Sequence, residues 1–143
     1  MKITRHEEFE TAHVLPFYKG GCGNLHGHSY KIEVTVEGPQ KSNFDMVMDC
    51  KDLKKAIKEI VPDHEFVMYK DDPISNDIKV VLDKYGMKYE IYPFYTTAEN
   101  MVGYFAERIE EYIKNELGYN DVKVVKVKLW ETTNSFATWE AKC

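Results

Sequence analysis

The stretch Cys22-Gly-Asn-Leu-His26-Gly-His28-Ser-Tyr-Lys-Ile-Glu-Val-Thr-Val36 joins a candidate site to a candidate strand. From His28 onward apolar and polar residues alternate, which is typical of a half-buried β-strand. The side chains on its apolar face are His28, Tyr30, Ile32, Val34 and Val36. His26 and His28 fall where this strand begins, on the same face of it. Two imidazoles at that spacing can bind one Zn²⁺ through bonds of about 2.0–2.1 Å.

A third metal ligand is expected from the preceding strand, which we predict over residues 2–13. His13 closes that strand on the same side as Phe9 and Thr11, so a hairpin would place it beside the other two histidines. Three histidines with an open fourth position are the pattern of a catalytic zinc site. Two other interpretations stay open: ordinary polar residues at strand ends, or a closed structural site in which Cys22 is the fourth ligand.

The rest of the chain alternates between predicted helices and strands. In chain order we expect a helix from Asp49 to Pro62, a short helix over 75–85 closed by Gly86, a strand over 88–93, a helix over 97–117, and strands over 121–131 and 136–142. Thr96 and Glu99 fit a capping box at the start of the longer helix. This order predicts an α+β fold, in which helices cover one face of an antiparallel sheet.

Composition restricts the class of protein. A chain of 143 residues with 43% hydrophobic content predicts a single globular domain over residues 1–143. The net charge of −5 argues against nucleic acid as a partner. We find no apolar run long enough for a membrane span and no signal-peptide pattern. The three cysteines are too few and too scattered for a disulfide framework, so we expect a reduced, cytoplasmic protein.

Two further features are candidates for proton transfer. Cys22 lies in a glycine-rich loop, and a thiol beside a metal or an imidazolium becomes a usable base or nucleophile. The ordinary alternative for a lone cysteine is a small buried apolar residue. Asp63-His64 follows a predicted helix end, and an adjacent carboxylate and imidazole can relay a proton. A capping aspartate and an exposed histidine are the ordinary alternative.

Glu131 is a carboxylate in an apolar pattern. It continues the face formed by Val125, Val127 and Leu129. Burying it without a partner would cost several kcal/mol, so it needs a cationic or multi-donor partner, such as the guanidine-like edge of a ligand. The alternative is that the strand ends here and water reaches the carboxylate.

Motifs along nearly the whole chain resemble the 6-pyruvoyl-tetrahydropterin synthase and 6-carboxy-tetrahydropterin synthase family. The matching segments are Phe9-Glu-Thr-Ala-His13, Cys22-x₃-His26-Gly-His28-Ser-Tyr, Met46-Val-Met-Asp-Cys-Lys-Asp-Leu, Asp63-His64, Thr96-Thr97-Ala-Glu99-Asn100 and Trp130-Glu131-Thr-Thr. The resemblance implies the tunnelling fold (T-fold), a four-stranded antiparallel sheet with helices on one face. It also implies self-association through a barrel of joined sheets, as a trimer or homohexamer, with active sites at subunit interfaces.

The resemblance further implies a role for each candidate residue. The metal ligands, for a Zn²⁺ cofactor, would be His13, His26 and His28. Cys22 would be the catalytic cysteine, with Asp63 and His64 as its partners in the proton relay. Glu131 would anchor the pterin ring of a pterin triphosphate substrate, and Thr96 and Thr97 would contact that ring.

The spacing between Cys22 and His26 separates branches of this family. Three intervening residues resemble the bacterial and archaeal members tied to 7-deazapurine synthesis. This implies 6-carboxy-5,6,7,8-tetrahydropterin synthase activity, a carbon–carbon lyase of queuosine biosynthesis that releases acetaldehyde and triphosphate from 7,8-dihydroneopterin triphosphate. The alternatives are a 6-pyruvoyl-type synthase, which is a carbon–oxygen lyase acting on phosphates, and a non-catalytic zinc- or pterin-binding module. The segment before Thr96 is longer than in the shortest members.

Overall fold

The computed structural model describes residues 1–41 and 44–143, and its central feature is a six-stranded sheet. The elements in chain order are β1 (Lys2–His13), β2 (His26–Glu37), α1 (Cys50–Ile60), β3 (Glu65–Tyr69), α2 (Pro73–Tyr85), β4 (Tyr89–Tyr92), α3 (Ala98–Asn115), β5 (Lys123–Thr132) and β6 (Ser135–Glu140). The strand order across the sheet is β4-β3-β1-β2-β5-β6. The predicted α+β class is confirmed.

The sheet has an antiparallel part and a parallel extension. Strands β1, β2, β5 and β6 pair antiparallel, whereas β3 pairs parallel to β1 and β4 pairs parallel to β3. The expectation of a four-stranded antiparallel sheet is therefore wrong in its strand count. The missed strand, β3, has no apolar–polar alternation because both of its faces are covered: Val67 lies in the main core, and Phe66 and Met68 lie in a second cluster.

The helices lie on both faces of the sheet. Helices α1 and α3 pack against the main core on one face, where Tyr30, Ile32 and Phe105 are fully buried. Helix α2 instead places Ile78 and Leu82 against the second cluster. Because successive strand residues point to opposite faces, α2 covers the other face, and the expectation of helices on one face only is wrong for this helix. No helix in the described part of the chain is long and apolar enough to cross a membrane.

The structure corrects two local predictions near the site: the residue that caps α3 and the buried face of β5. The N-cap of α3 is Thr97, whose Oγ1 accepts a hydrogen bond from the Asn100 N–H at 3.3 Å, so the capping box predicted from Thr96 is displaced by one residue. The β2–β5 register shifts between Thr35 and Val36, which buries Val124 in place of Val125. By contrast, the predicted N-cap of α1 and the predicted left-handed glycine that ends α2 are both confirmed.

Candidate metal centre and active site

The register of the first hairpin brings the three histidines together. In the β1–β2 ladder His13 is directly opposite His26, and Thr11 is opposite His28. The Nε2 atoms of His13 and His26 are 3.1 Å apart, and those of His26 and His28 are 3.0 Å apart. The structure therefore brings together the three histidines that strand parity had grouped.

The other ring nitrogens show which tautomers are present. His13 Nδ1 donates to the backbone carbonyl of Thr96 at 2.8 Å, and His26 Nδ1 donates to that of Asn24 at 2.7 Å. A carbonyl can only accept, so the neutral form of each ring carries its proton on Nδ1 and a lone pair on Nε2. Two such lone pairs at 3.1 Å repel each other unless a cation lies between them. The residues present thus fit a metal ion.

Glu131 completes the group. Its Oε1 lies 2.8 Å from His28 Nε2 and 3.8 Å from His13 Nε2. In the described residues, His13, His26, His28 and Glu131 are the four side chains whose ligand atoms all lie within 4.8 Å of one another. The sequence placed this carboxylate on an apolar face, and the structure shows that its neighbours on that face are the histidines.

Burial lowers the pKa of two of these histidines. His13 is fully buried, and desolvation of its charged form is the main cause that brings its pKa down to about 4. Burial also lowers the pKa of His28, although the Glu131 carboxylate acts in the opposite direction. Neutral imidazole is the form that binds a metal. Burial therefore keeps His13 in the protonation state that can act as a ligand.

The low pKa of His13 predicts a pH-dependent stability of the metal-free protein. An unfolded histidine has a pKa of about 6.5. Below that value the unfolded state binds a proton that folded His13 does not take up until about pH 4. Stability is therefore complete above about pH 6.5 and falls by about 3 kcal/mol as the pH drops to about 4. Urea unfolding of chelator-treated protein at several pH values measures this loss. His13→Gln should not show the part of the stability loss that comes from His13. An equal pH dependence of stability in both proteins would contradict the prediction.

Thr96 and Thr97 have different surroundings in the structure. Thr96 is buried, and both its backbone carbonyl and its Oγ1, at 2.8 and 3.2 Å, lie against His13 Nδ1. Thr97 caps α3. An acceptor that binds the other ring nitrogen fixes the orientation of a ligating imidazole. No sequence pattern indicated this contact, because the two residues are 83 positions apart.

Cys22 lies in the tight loop that leads into β2, and it is outside the four-residue group. It occupies the centre of a 3₁₀ turn over Gly21–Gly23 and is partly buried. A Cβ at Gly23 would lie 2.2 Å from the Tyr18 carbonyl oxygen, so only glycine fits there. The backbone carbonyl of Cys22 accepts a hydrogen bond from the Leu15 N–H at 2.9 Å. This arrangement favours a thiol that is separate from the metal ligands.

Tyr30 is a part of the site that the sequence treated only as a core residue. Its ring stacks on Phe9 and packs edge-on against His28, with ring centroids 5.4 Å apart. Its hydroxyl is buried and has no hydrogen-bond partner among the residues that the structure describes. Burial raises the pKa of Tyr30, and Glu131 and Cys22 add to the increase, so both groups lie near the ring. The signal in the sequence was a tyrosine on the apolar face, two residues after the His-Gly-His motif.

Asp63 and His64 form a pair on a different part of the surface. His64 Nδ1 lies 3.0 Å from Asp63 Oδ1, and the same oxygen accepts from the Glu10 backbone N–H at 2.9 Å. The Glu10 N–H is the main cause that lowers the pKa of Asp63, and His64 contributes less. His64 has a φ of 58° and is exposed. The predicted carboxylate–imidazole contact is therefore present.

In the described part of one chain, no hydrogen bond or ion pair joins this pair to the histidine cluster. His64 lines an open cavity of about 680 Å³ with Gly27, Ser29 and Phe66, on the sheet face opposite His13, and also with His28 of the cluster. Among the described residues, no hydrogen bond or ion pair joins Asp63 or His64 to Cys22. The single chain thus assembles the metal centre but does not bring the predicted relay pair to the cysteine.

Comparison with known proteins assigns the chain to a family. The family model described as 6-pyruvoyl tetrahydropterin synthase matches residues 2–142. The chain belongs to this family. Relatives named 6-carboxy-5,6,7,8-tetrahydropterin synthase include one from Aquifex aeolicus, 41% identical over 83% of this chain and 75% of its own length. Another, from Haemophilus influenzae, is 34% identical over 97% of this chain and 98% of its own length.

A solved structure from the 6-pyruvoyl tetrahydropterin synthase family has the same fold. The Caenorhabditis elegans 6-pyruvoyl tetrahydropterin synthase superposes with a TM-score of 0.68 at 23% identity, over 99% of this chain and 96% of its own. The predicted tunnelling fold is therefore confirmed, although the strand count differs. Family membership also confirms the prediction of an enzyme of the lyase type.

Proposed function

We propose that the protein is a zinc-dependent 6-carboxy-5,6,7,8-tetrahydropterin synthase acting on 7,8-dihydroneopterin triphosphate. The observation that carries the proposal is the convergence of three imidazole Nε2 atoms and the Glu131 carboxylate at the end of a hairpin in this family. Relatives with that name, similar along most of the chain, support the choice of product. The product would enter 7-deazapurine (queuosine) synthesis in the cytoplasm.

The proposed reaction balances without an external redox cofactor. Water enters, and 6-carboxytetrahydropterin, acetaldehyde and triphosphate leave. The C6=N5 bond of the dihydropterin ring gains two hydrogens, while the first side-chain carbon is oxidised to a carboxylate. The required work is proton transfer, elimination of triphosphate and cleavage of one carbon–carbon bond. A base, an acid and a Lewis acid supply these functions.

The metal centre would be held by His13, His26 and His28, whose neutral imidazoles suit Zn²⁺. Zinc bound there would act as a Lewis acid toward the side-chain hydroxyls of the substrate. The backbone carbonyls of Thr96 and Asn24 hold two of the three rings in place.

The remaining roles fall to Cys22 and Glu131. The Cys22 thiol lies in the loop that precedes His26, and backbone hydrogen bonds hold this loop, which suits a base that removes a side-chain proton. The Glu131 carboxylate has the charge and the two oxygens needed to accept the pterin N3–H and 2-amino group in a bidentate contact. Glu131 is also partly exposed, so a ligand can reach it.

A second copy of the chain would supply Asp63 and His64. The pair is preformed and His64 is exposed, yet no hydrogen bond or ion pair joins either residue to Cys22 in the described part of the same chain. Self-association into a trimer or hexamer, with sites between subunits, would bring it to the Cys22 of a neighbour. His64 would then return a proton to the product side chain, with Asp63 orienting its imidazole.

Product identification tests the proposal. Purified, zinc-loaded protein is incubated with 7,8-dihydroneopterin triphosphate, and pterins and aldehydes are measured by mass spectrometry. We expect acetaldehyde and 6-carboxytetrahydropterin in equal amounts. A 6-pyruvoyl product without acetaldehyde would favour the other named activity of this family. No pterin product would favour a binding module.

A further inference from the structure

Four of the six distances between the ligand atoms of the cluster are short enough for a shared metal ion. Metal–ligand bonds of about 2.0–2.1 Å imply edges of about 3.3 Å between ligand atoms of a tetrahedral site. The edges among His13, His26 and His28 include 3.1 and 3.0 Å, and those from Glu131 are 2.8 and 3.8 Å. The carboxylate oxygen thus lies within reach of a metal ion held by the histidines.

The contact between Glu131 and His28 cannot persist once a metal uses the His28 nitrogen. Both the 2.8 Å contact to Glu131 and the 3.0 Å contact to His26 are made by His28 Nε2. When that lone pair is directed at a metal, Nε2 carries no proton to donate to the carboxylate. Glu131 then has two courses: its oxygen binds the same metal, or the side chain moves away.

The charge and the surroundings of Glu131 favour binding of its oxygen to the metal. In the substrate-free protein a carboxylate that leaves the cluster gives up its attraction to a divalent cation, and no other cationic partner contacts it among the described residues. Zn²⁺ readily combines histidine and glutamate ligands. Glu131 is also partly exposed and directly precedes Thr132, the last residue of β5.

We propose that Glu131 is the fourth metal ligand of the substrate-free protein and that an arriving pterin draws it off the metal. The closed site has four protein ligands and no open position. Binding of the pterin N–H donors to the carboxylate opens one position for the side-chain hydroxyls of the same substrate. The second half of this inference rests on the proposed function, whereas the first half does not.

Cobalt spectroscopy tests the resting state without any substrate. Zn²⁺ is d¹⁰ and has no d–d absorption, so Co²⁺ is used as the metal probe. Wild-type protein, Glu131→Gln and Glu140→Gln are loaded with Co²⁺, and visible spectra and affinities are recorded. Glu140 is an exposed β6 residue paired with Lys126, so its variant matches the chemical change outside the cluster.

We expect Glu131→Gln to change the cobalt d–d bands and to weaken Co²⁺ binding by about 10–100-fold or more. Loss of a group that only hydrogen-bonds to a metal ligand already weakens metal binding by about 10–100-fold, so loss of a ligand should cost at least as much. Glu140→Gln should match the wild type. Identical spectra and affinities in all three proteins would overturn the inference.

Neopterin, which carries the pterin ring without the triphosphate, tests the release step. Its addition should shift the wild-type cobalt spectrum toward that of Glu131→Gln. Neopterin that binds, as measured by calorimetry, but leaves the spectrum unchanged would overturn release by the pterin. Absence of neopterin binding together with a confirmed Glu131 ligand would count against the proposed pterin substrate and leave the resting-state ligand supported.

Discussion

His26→Ala should lose both its bound metal and its turnover. The substitution removes one of three imidazole nitrogens that converge within 3.1 Å of a neighbour. A bound metal contributes several kcal/mol to a transition state that gains negative charge, and each 1.36 kcal/mol is tenfold in rate. We therefore expect turnover to fall by about 10³-fold or more. Metal content after dialysis, measured by mass spectrometry, should fall from one ion per chain to a small fraction.

Among the three histidines, His26 is the best one to substitute, because removal of its side chain creates no cavity in the core. His13 is fully buried, whereas His26 is partly exposed at the start of β2. His6→Ala is the matched control, since His6 lies exposed on the other face of the same hairpin and only pairs with Glu33. It should keep metal and turnover. Full metal content in His26→Ala with normal turnover would exclude the proposed metal centre.

The sequence predicted that the three histidines lie together, because strand parity is a short-range property. The residues His26 and His28 are two apart on one strand, and His13 ends the neighbouring strand of a hairpin. A single antiparallel register then fixes all three, and the alternation of Tyr30 and Ile32 in the core sets that register. No distant part of the chain had to be placed.

Features that depend on distant contacts were not predictable in the same way. The five residues of β3 are covered on both faces, so no periodicity marked them as a strand. The face of the sheet that α2 covers was not predictable either, because it depends on the contacts of α2 with the second apolar cluster. The one-residue displacement of the α3 cap follows from tertiary structure, because the buried Thr96 lies against His13 and leaves Thr97 to cap the helix.

Loss of the Cys22 thiol should abolish turnover while the metal stays bound. The Cys22 side chain is outside the four-ligand group. The backbone hydrogen bond from Leu15 and the close approach of Gly23 to Tyr18 hold the loop without help from the thiol. General acid–base groups contribute about 10²–10⁴-fold, so Cys22→Ala should lower turnover by that factor. Metal content and product formation are measured on the same preparation.

Metal content decides between the two roles that the sequence left open for Cys22. A thiolate ligand in a closed Cys-His₃ site would lose metal together with activity on substitution by alanine, because a structural zinc site needs its fourth ligand. A base beside the site loses activity alone. Cys50→Ala is the matched control, since Cys50 is an exposed residue at the start of α1, and it should change neither property. Unchanged turnover in Cys22→Ala would remove the thiol from the mechanism and leave His64 as the remaining candidate for the base.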